Sequence, residues 1–186
     1  MDPRTNRERS SVDLRRVAVV GAVGGMLAGM MMAMLEMFYG WASGAHTFWD
    51  APMAIWAWVA GLDWFGAPSD HIGSIILGLG GHMMNSMMAG VLFAAALTLL
   101  GVRGLMSSLM LGVAYGLALW AIMRYGILPL NDPESTLFTT DKVSPQWVWW
   151  LAHAVLGMTA GMVFYLARQA RIPQVRHPVG EAHRTA

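Results

Sequence analysis

The sequence contains no cysteine, and only 12% of its 186 residues carry a charge. The lack of cysteine excludes a disulfide framework, thiolate metal ligands and thiol nucleophiles. A chain of this length that is also 56% hydrophobic is too apolar for a soluble domain. Its net charge of +1 gives no reason to expect a nucleic-acid ligand. The composition therefore predicts an integral membrane protein.

Motifs of enzyme chemistry are also missing from the apolar stretches. They contain no nucleophile paired with a base and no HExxH pattern. The pairs Gly24-Gly25 and Gly80-Gly81 do not follow a predicted strand, as nucleotide-binding glycines do. We therefore expect no enzyme activity and no catalytic residue.

Four apolar stretches are long enough to cross a membrane as helices, which takes about 20 residues for roughly 30 Å of hydrocarbon. Helices are expected because lipid offers the backbone no hydrogen-bond partner. The predicted class is an all-α integral membrane protein, a bundle of four transmembrane helices, with polar tails at residues 1–16 and 169–186. The predicted spans are 17–39, 72–100, 104–128 and 147–167, within a transmembrane domain at 17–168.

Basic residues predict the orientation of these spans. Ten of the twelve Lys and Arg residues lie before the first span, between the second and third, or after the fourth. The other connections are mainly acidic, with Lys142 as their single basic residue. Because cytoplasmic loops carry the excess of Lys and Arg, both termini are predicted to be cytoplasmic. The first span is longer than the apolar part of a signal peptide, so we expect it to be retained.

The connection after the first span is rich in tryptophan. Pro52 is placed to begin a helix, and residues 52–62 are too few to cross the bilayer. Indole rings favour the boundary between lipid and water, so this segment is predicted to be a short interfacial helix on the outer side. It has two interpretations, an aromatic belt that anchors the helices and a lid or partner surface. Its tryptophans are Trp49, Trp56, Trp58 and Trp64.

Small residues repeat every four positions in all four spans. Such stripes allow helix backbones to approach closely where no hydrophobic force drives them together. We interpret them as packing surfaces of a compact bundle, or as surfaces for self-association. The glycines concerned are Gly21, Gly25 and Gly29, then Gly78 and Gly90, then Gly112 and Gly116, then Gly157 and Gly161.

Each span also carries an ionisable side chain, namely Glu36, His82, Arg124 and His153. Such groups usually face a partner or a cavity because lipid solvates them poorly. His82 and His153 lie about 15 Å and about 12 Å along their helices, which is a similar depth. The spacing predicts one polar site in the outer half, with a Glu36–Arg124 ion pair above the histidines. Asn85, Ser86 and Tyr125 are its candidate hydrogen-bond partners.

Several chemistries fit this set of residues. Titratable His82 and His153 with Glu36 are typical of a proton or cation relay. The two histidines on parallel helices also suit the axial ligands of haem b. The 17 methionines suggest copper, because thioethers are soft ligands, with His82, His153 and Glu36 as further metal ligands. In the remaining interpretation the polar side chains only hold helices or subunits together, and no cofactor is bound.

The order of these features resembles the YagU-like bacterial inner-membrane proteins, which have four helices. The resemblance covers residues 17–167 and rests on Glu36, on Trp49 with Pro52, and on the stripes that begin at His82 and His153. It implies a location in the bacterial inner membrane and a link to acid tolerance, and it supplies no catalytic residue.

These observations together predict a non-enzymatic membrane protein. We expect an accessory or oligomer-forming subunit of a larger membrane complex, with membrane lipid and other membrane subunits as its partners. The alternatives are a small proton or cation transporter or channel, and an electron-transfer protein that binds haem b or copper.

Overall fold

The computed structural model describes residues 13–44, 47–61, 71–131 and 144–170 of the chain. Every regular element within these ranges is helical, which confirms the all-α class. Four of the helices are long and apolar enough to cross a membrane, so the chain is a multi-pass protein by length and composition. The elements are α1 (Leu14–Ser43), α2 (Asp50–Ala60), α3 (Ile72–Leu99), α4 (Leu105–Ile122) and α5 (Gln146–Gln169). Helix α4 continues as a π-helical turn (Met123–Ile127) and a 3-10 turn (Leu128–Leu130).

Local sequence signals set several helix ends. The Asp13 carboxylate accepts a hydrogen bond from the Arg16 backbone N–H at 3.1 Å and caps the start of α1. Gly44 and Gly61 end α1 and α2, each with φ of 67°. This left-handed conformation is the one that glycine adopts without steric cost. The segment predicted as a short helix at residues 52–62 is a helix at Asp50–Ala60, so it starts and ends two residues earlier than predicted.

The long helices pack most closely in two pairs, α1 with α3 and α4 with α5. In the first pair, a Cβ atom added at Gly25 would lie 2.9 Å from the Cα of Gly90. In the second, a Cβ atom added at Gly157 would lie 3.0 Å from the backbone nitrogen of Gly116. Backbone therefore touches backbone where the small-residue stripes meet. A third, less close contact joins α1 to α5 and connects the two pairs.

Helix α2 packs across one end of this assembly, which we call the α2 end. Its Met53 and Ala54 are fully buried, and the carbonyl of Pro52 lies directly against Gly78 of α3. The Trp58 indole N–H donates to the Leu128 carbonyl at 2.9 Å, which fastens α2 to the end of α4. Trp49 and Trp56 stay at least partly exposed, and Trp64 lies outside the described residues.

Helices α3 and α4 are joined by the short connection Leu100–Gly104, which predicts that they are close antiparallel neighbours. The structure shows few direct contacts between their backbones. Each packs instead on a helix with a matching glycine stripe. The long Tyr115 side chain spans the gap, with its ring centroid 5.0 Å from that of Phe93 and its hydroxyl donating to the Ala89 carbonyl at 2.8 Å.

Two arginines hold the end opposite α2. The Arg16 guanidinium donates to the carbonyl of Ala167, near the end of α5. The Arg168 guanidinium donates to the Val102 carbonyl at 2.6 Å, within the α3–α4 connection. Carbonyls at helix ends and in turns lack a helical partner, so these bonds satisfy backbone groups as well as placing positive charge at this end.

Candidate polar site between the helices

His82 faces α1 because that helix has no side chain at Gly29. The His82 Nε2–H donates to the Gly29 carbonyl at 3.0 Å. A carbonyl oxygen can only accept, so this bond places the proton on Nε2 and leaves Nδ1 as the acceptor of the neutral ring. The buried Ser86 hydroxyl packs against Gly29 one turn further along α3. His82, Ser86 and Gly29 thus form one polar contact between α1 and α3.

His153 lies on the buried side of α5 and is only 6% exposed. Its Nδ1–H donates to the Trp149 carbonyl, one turn back in the same helix, at 2.8 Å. This bond leaves Nε2 as the acceptor of the neutral ring. The residue before His153, Ala152, is buried in one cluster with Ala28 of α1, which precedes the Gly29 that accepts the bond from His82. The structure therefore brings His82 and His153 into one region.

Glu36 is buried in α1, with 4% of its surface exposed. Its Oε1 atom is fully buried and has no hydrogen-bond partner among the residues that the structure describes. It lies seven residues from Gly29, which is about 10 Å along the helix towards the α2 end. Its neighbour Met37 belongs to the apolar cluster beneath α2. Glu36 is thus an incompletely bonded carboxyl group next to the region of the histidines.

The predicted ion pair between Arg124 and Glu36 is not present in the described structure. The guanidinium carbon of Arg124 lies 5.5 Å from the centre of the Tyr125 ring, and its Nε is buried without a hydrogen-bond partner. Arg124 lies in the π-helical turn at Met123–Ile127. A π turn holds an extra residue, so the side chains in it leave the directions of a regular helix.

Tyr125 and Asn85, two other residues of the predicted polar site, lie outside the buried group of His82, His153 and Glu36. Tyr125 is 66% exposed, and its ring packs edge-on against Trp120 at 5.9 Å between centroids. Asn85 is exposed on α3 and forms no hydrogen bond with another residue that the structure describes. In the described structure these two side chains therefore do not bond to His82, His153 or Glu36. Each is next in sequence to a residue of the predicted site, Asn85 to Ser86 and Tyr125 to Arg124, and neighbours on a helix point about 100° apart.

The structure does not gather a metal site from the predicted ligands. In the described ranges, no three His, Asp or Glu side chains are close enough to hold a metal ion together. Most thioethers of α1 and α3 lie on the outside, among them Met30, Met84 and Met88. For haem, the Nε2 atom of His82 is already bonded to Gly29, which leaves Nδ1 as the unbonded ring nitrogen. Neither cofactor gains support from these contacts.

Some polar contacts were not expected from the sequence. Tyr115 bonds across to α3, Trp58 bonds to the end of α4, and the Trp149 carbonyl accepts from His153. The last contact is local in sequence, because the Trp149 carbonyl lies one helical turn before His153. The first two join elements that are distant in the chain, and no local pattern indicates them.

Comparison with known proteins does not add a relative to these observations. No protein-family model, curated protein or solved structure matches the chain.

Proposed function

We propose that this chain is a non-enzymatic integral membrane protein that forms oligomers or serves as an accessory subunit of a membrane complex. In this proposal α1, α3, α4 and α5 form a four-helix bundle in a bacterial inner membrane, with α2 on the outer side and both termini in the cytoplasm. The resemblance to the YagU-like proteins supports the location. Arg16, Arg103 and Arg168, at the end opposite α2, support the orientation, because cytoplasmic ends carry more Lys and Arg.

A single observation supports association most directly, the position of Asn85. It lies thirteen residues into α3, about 20 Å from the start of a helix of 28 residues, and therefore near the middle of the span. Its amide group is exposed on the helix surface without a bond to another described residue. Transfer of an unbonded amide into an apolar medium costs about 2–7 kcal/mol. A partner that bonds this amide would remove that cost.

The residues one turn before and after Asn85 are small, which allows another helix to approach closely. Gly81 lies one turn before it, and a Cβ atom added at Gly81 would meet no atom within 4 Å. Ala89 lies one turn after it, so small residues flank the amide on both sides. This spacing resembles the packing surfaces used between α1 and α3. Tyr115 contacts the Ala89 end of this surface, whereas no described residue covers it at Gly81 and Asn85.

A second copy of the chain is the simplest partner for this surface. An amide both donates and accepts, so two Asn85 side chains related by two-fold symmetry can bond to each other. The proposed oligomer therefore contains a symmetric α3–α3 contact centred on Asn85. Other membrane subunits with a polar residue at this depth are the alternative partners.

Asn85→Leu tests this proposal. Interhelical hydrogen bonds in membranes contribute about 0.6–2 kcal/mol, so the dissociation constant should rise about 3- to 30-fold. The subunit equilibrium is measured by light scattering in mild detergent and by fluorescence energy transfer in liposomes over a dilution series. Met84→Leu, on the exposed part of the same helix, is the matched control and should leave the equilibrium unchanged. A wild-type chain that is monomeric at every dilution and copurifies alone would contradict the proposal.

A further inference from the structure

Glu36 is the buried ionisable group that the proposed association does not use. It is 4% exposed, its Oε1 has no hydrogen-bond partner, and no described residue forms an ion pair with it. A buried carboxylate without a cation or a full set of donors loses its hydration with little in return. The carboxyl group therefore needs a ligand that neutralises its negative charge.

His82 and His153 can each bind and release a proton, which is one ligand of this kind. Each imidazole donates one N–H to a backbone carbonyl, His82 to Gly29 and His153 to Trp149. Each keeps a second ring nitrogen that can accept a proton without breaking that bond. Measured along their helices from the α2 end, Glu36 and His153 lie about 10 Å deep and His82 about 15 Å deep, so the three groups occupy the same half of the helix assembly.

Other titratable groups also lie on the elements around Glu36. Among the elements packed against α1, helix α3 contributes His71 and His82, and α5 contributes His153. Helix α2 contributes Asp50, whose carboxylate accepts a bond from the Thr47 backbone N–H at 3.0 Å. At the end of α4, the Arg124 guanidinium lies over the ring of Tyr125. None of these groups forms an ion pair with Glu36 in the described part of the chain.

We propose that Glu36, His82 and His153 form a proton-exchange site in the half of the protein next to α2. Glu36 gains one proton, its charge changes from −1 to 0, and the imidazoles pass that proton to or from the surface. A proton is favoured over a metal cation because no cluster of three acidic or histidine ligands is present in the described part of the chain. This site does not depend on oligomer formation.

Dicyclohexylcarbodiimide provides the test, because this apolar reagent modifies protonated carboxyl groups in apolar surroundings. The full chain in liposomes is treated across a pH series, and the modified residue is located by mass spectrometry. We expect modification at Glu36 and not at Asp50, falling about tenfold per pH unit above a single midpoint, as one proton predicts. Glu36→Gln, which keeps the shape of the side chain, should remove the modification.

The histidine variants separate an exchange site from a carboxyl group that is merely buried. His82→Gln and His153→Gln should each shift the midpoint of modification and slow proton movement across liposomes loaded with a pH indicator. His71→Gln, directly before the start of α3, is the control and should change neither. Unchanged midpoints in both variants would overturn the proposal, as would Glu36 that stays unmodified at every pH. Protection of Glu36 by Na⁺ at constant pH would also overturn it, in favour of a metal-cation site.

Discussion

At the residue scale, the close helix pairs depend on glycines that tolerate no side chain. Gly157 is the clearest case, because its missing Cβ lies against the backbone of Gly112 and Gly116. Backbone cannot move aside as the end of a flexible side chain can. The stability of the α4–α5 pair should therefore respond to any enlargement at this position.

Gly157→Leu should lower the free energy of unfolding by about 3 kcal/mol, since overpacking of a close contact costs about 1–3 kcal/mol. Unfolding by SDS, followed by circular dichroism, measures this change. Gly80→Ala is the control, because a Cβ atom there would meet no atom within 4 Å. The control should stay within about 0.5 kcal/mol of the wild type. Equal stability of both variants would show that the pair is less closely packed than described.

The sequence also shows at this scale what regular helix geometry can predict. The burial of Glu36 follows from steps of 100° per residue from Gly25 and Gly29, because α1 is a regular helix there. The same counting does not apply to Arg124, because a π-helical turn changes the number of residues per turn. Pro129 lacks an N–H group and disturbs the regular ladder nearby, but its position does not reveal where the extra residue is placed.

At the element scale, α2 shows how much a local pattern can establish. Its length and position were predicted from Pro52 and the tryptophans. Its attachment was not, because the bond from Trp58 to Leu128 joins residues 70 positions apart in the chain. This bond joins α2 to the end of α4, and the contact between Pro52 and Gly78 joins it to α3, so α2 has a buried face as well as aromatic residues.

Trp58→Phe should loosen α2 while keeping an aromatic ring in place. Loss of a hydrogen bond that leaves the Leu128 carbonyl unpaired costs about 1 kcal/mol, which corresponds to about fivefold faster hydrogen exchange in α2. The exchange rate is measured by mass spectrometry on a peptide that covers residues 50–60. Trp56→Phe serves as the control because its indole makes no hydrogen bond in the described structure. Identical exchange in both variants would remove the proposed role of this bond.

At the scale of the whole molecule, the chain has a practical advantage for tests of orientation, its complete lack of cysteine. Any introduced thiol is the single reactive site. Ala60 and Ala170 are both exposed and lie at opposite ends of the helix assembly. They therefore report on the two sides of the membrane without disturbing a buried contact.

Ala60→Cys should react in intact cells with a maleimide that does not cross the inner membrane, and Ala170→Cys should react after the cells are opened. This result is expected because the arginine-rich end should face the cytoplasm. Gel-shift labelling of the two variants measures it. The reverse pattern would show that α2 faces the cytoplasm, and labelling of both thiols in intact cells would contradict a spanning arrangement.

The division of the four long helices into two glycine-lined pairs has a consequence for biogenesis. Each pair is formed by one continuous half of the chain, since α1 and α3 both precede Leu100 and α4 and α5 both follow Gly104. Chains emerge from the ribosome N-terminus first. The earlier hairpin can therefore close before the later one has been translated, and the contact between α1 and α5 is the step that completes assembly.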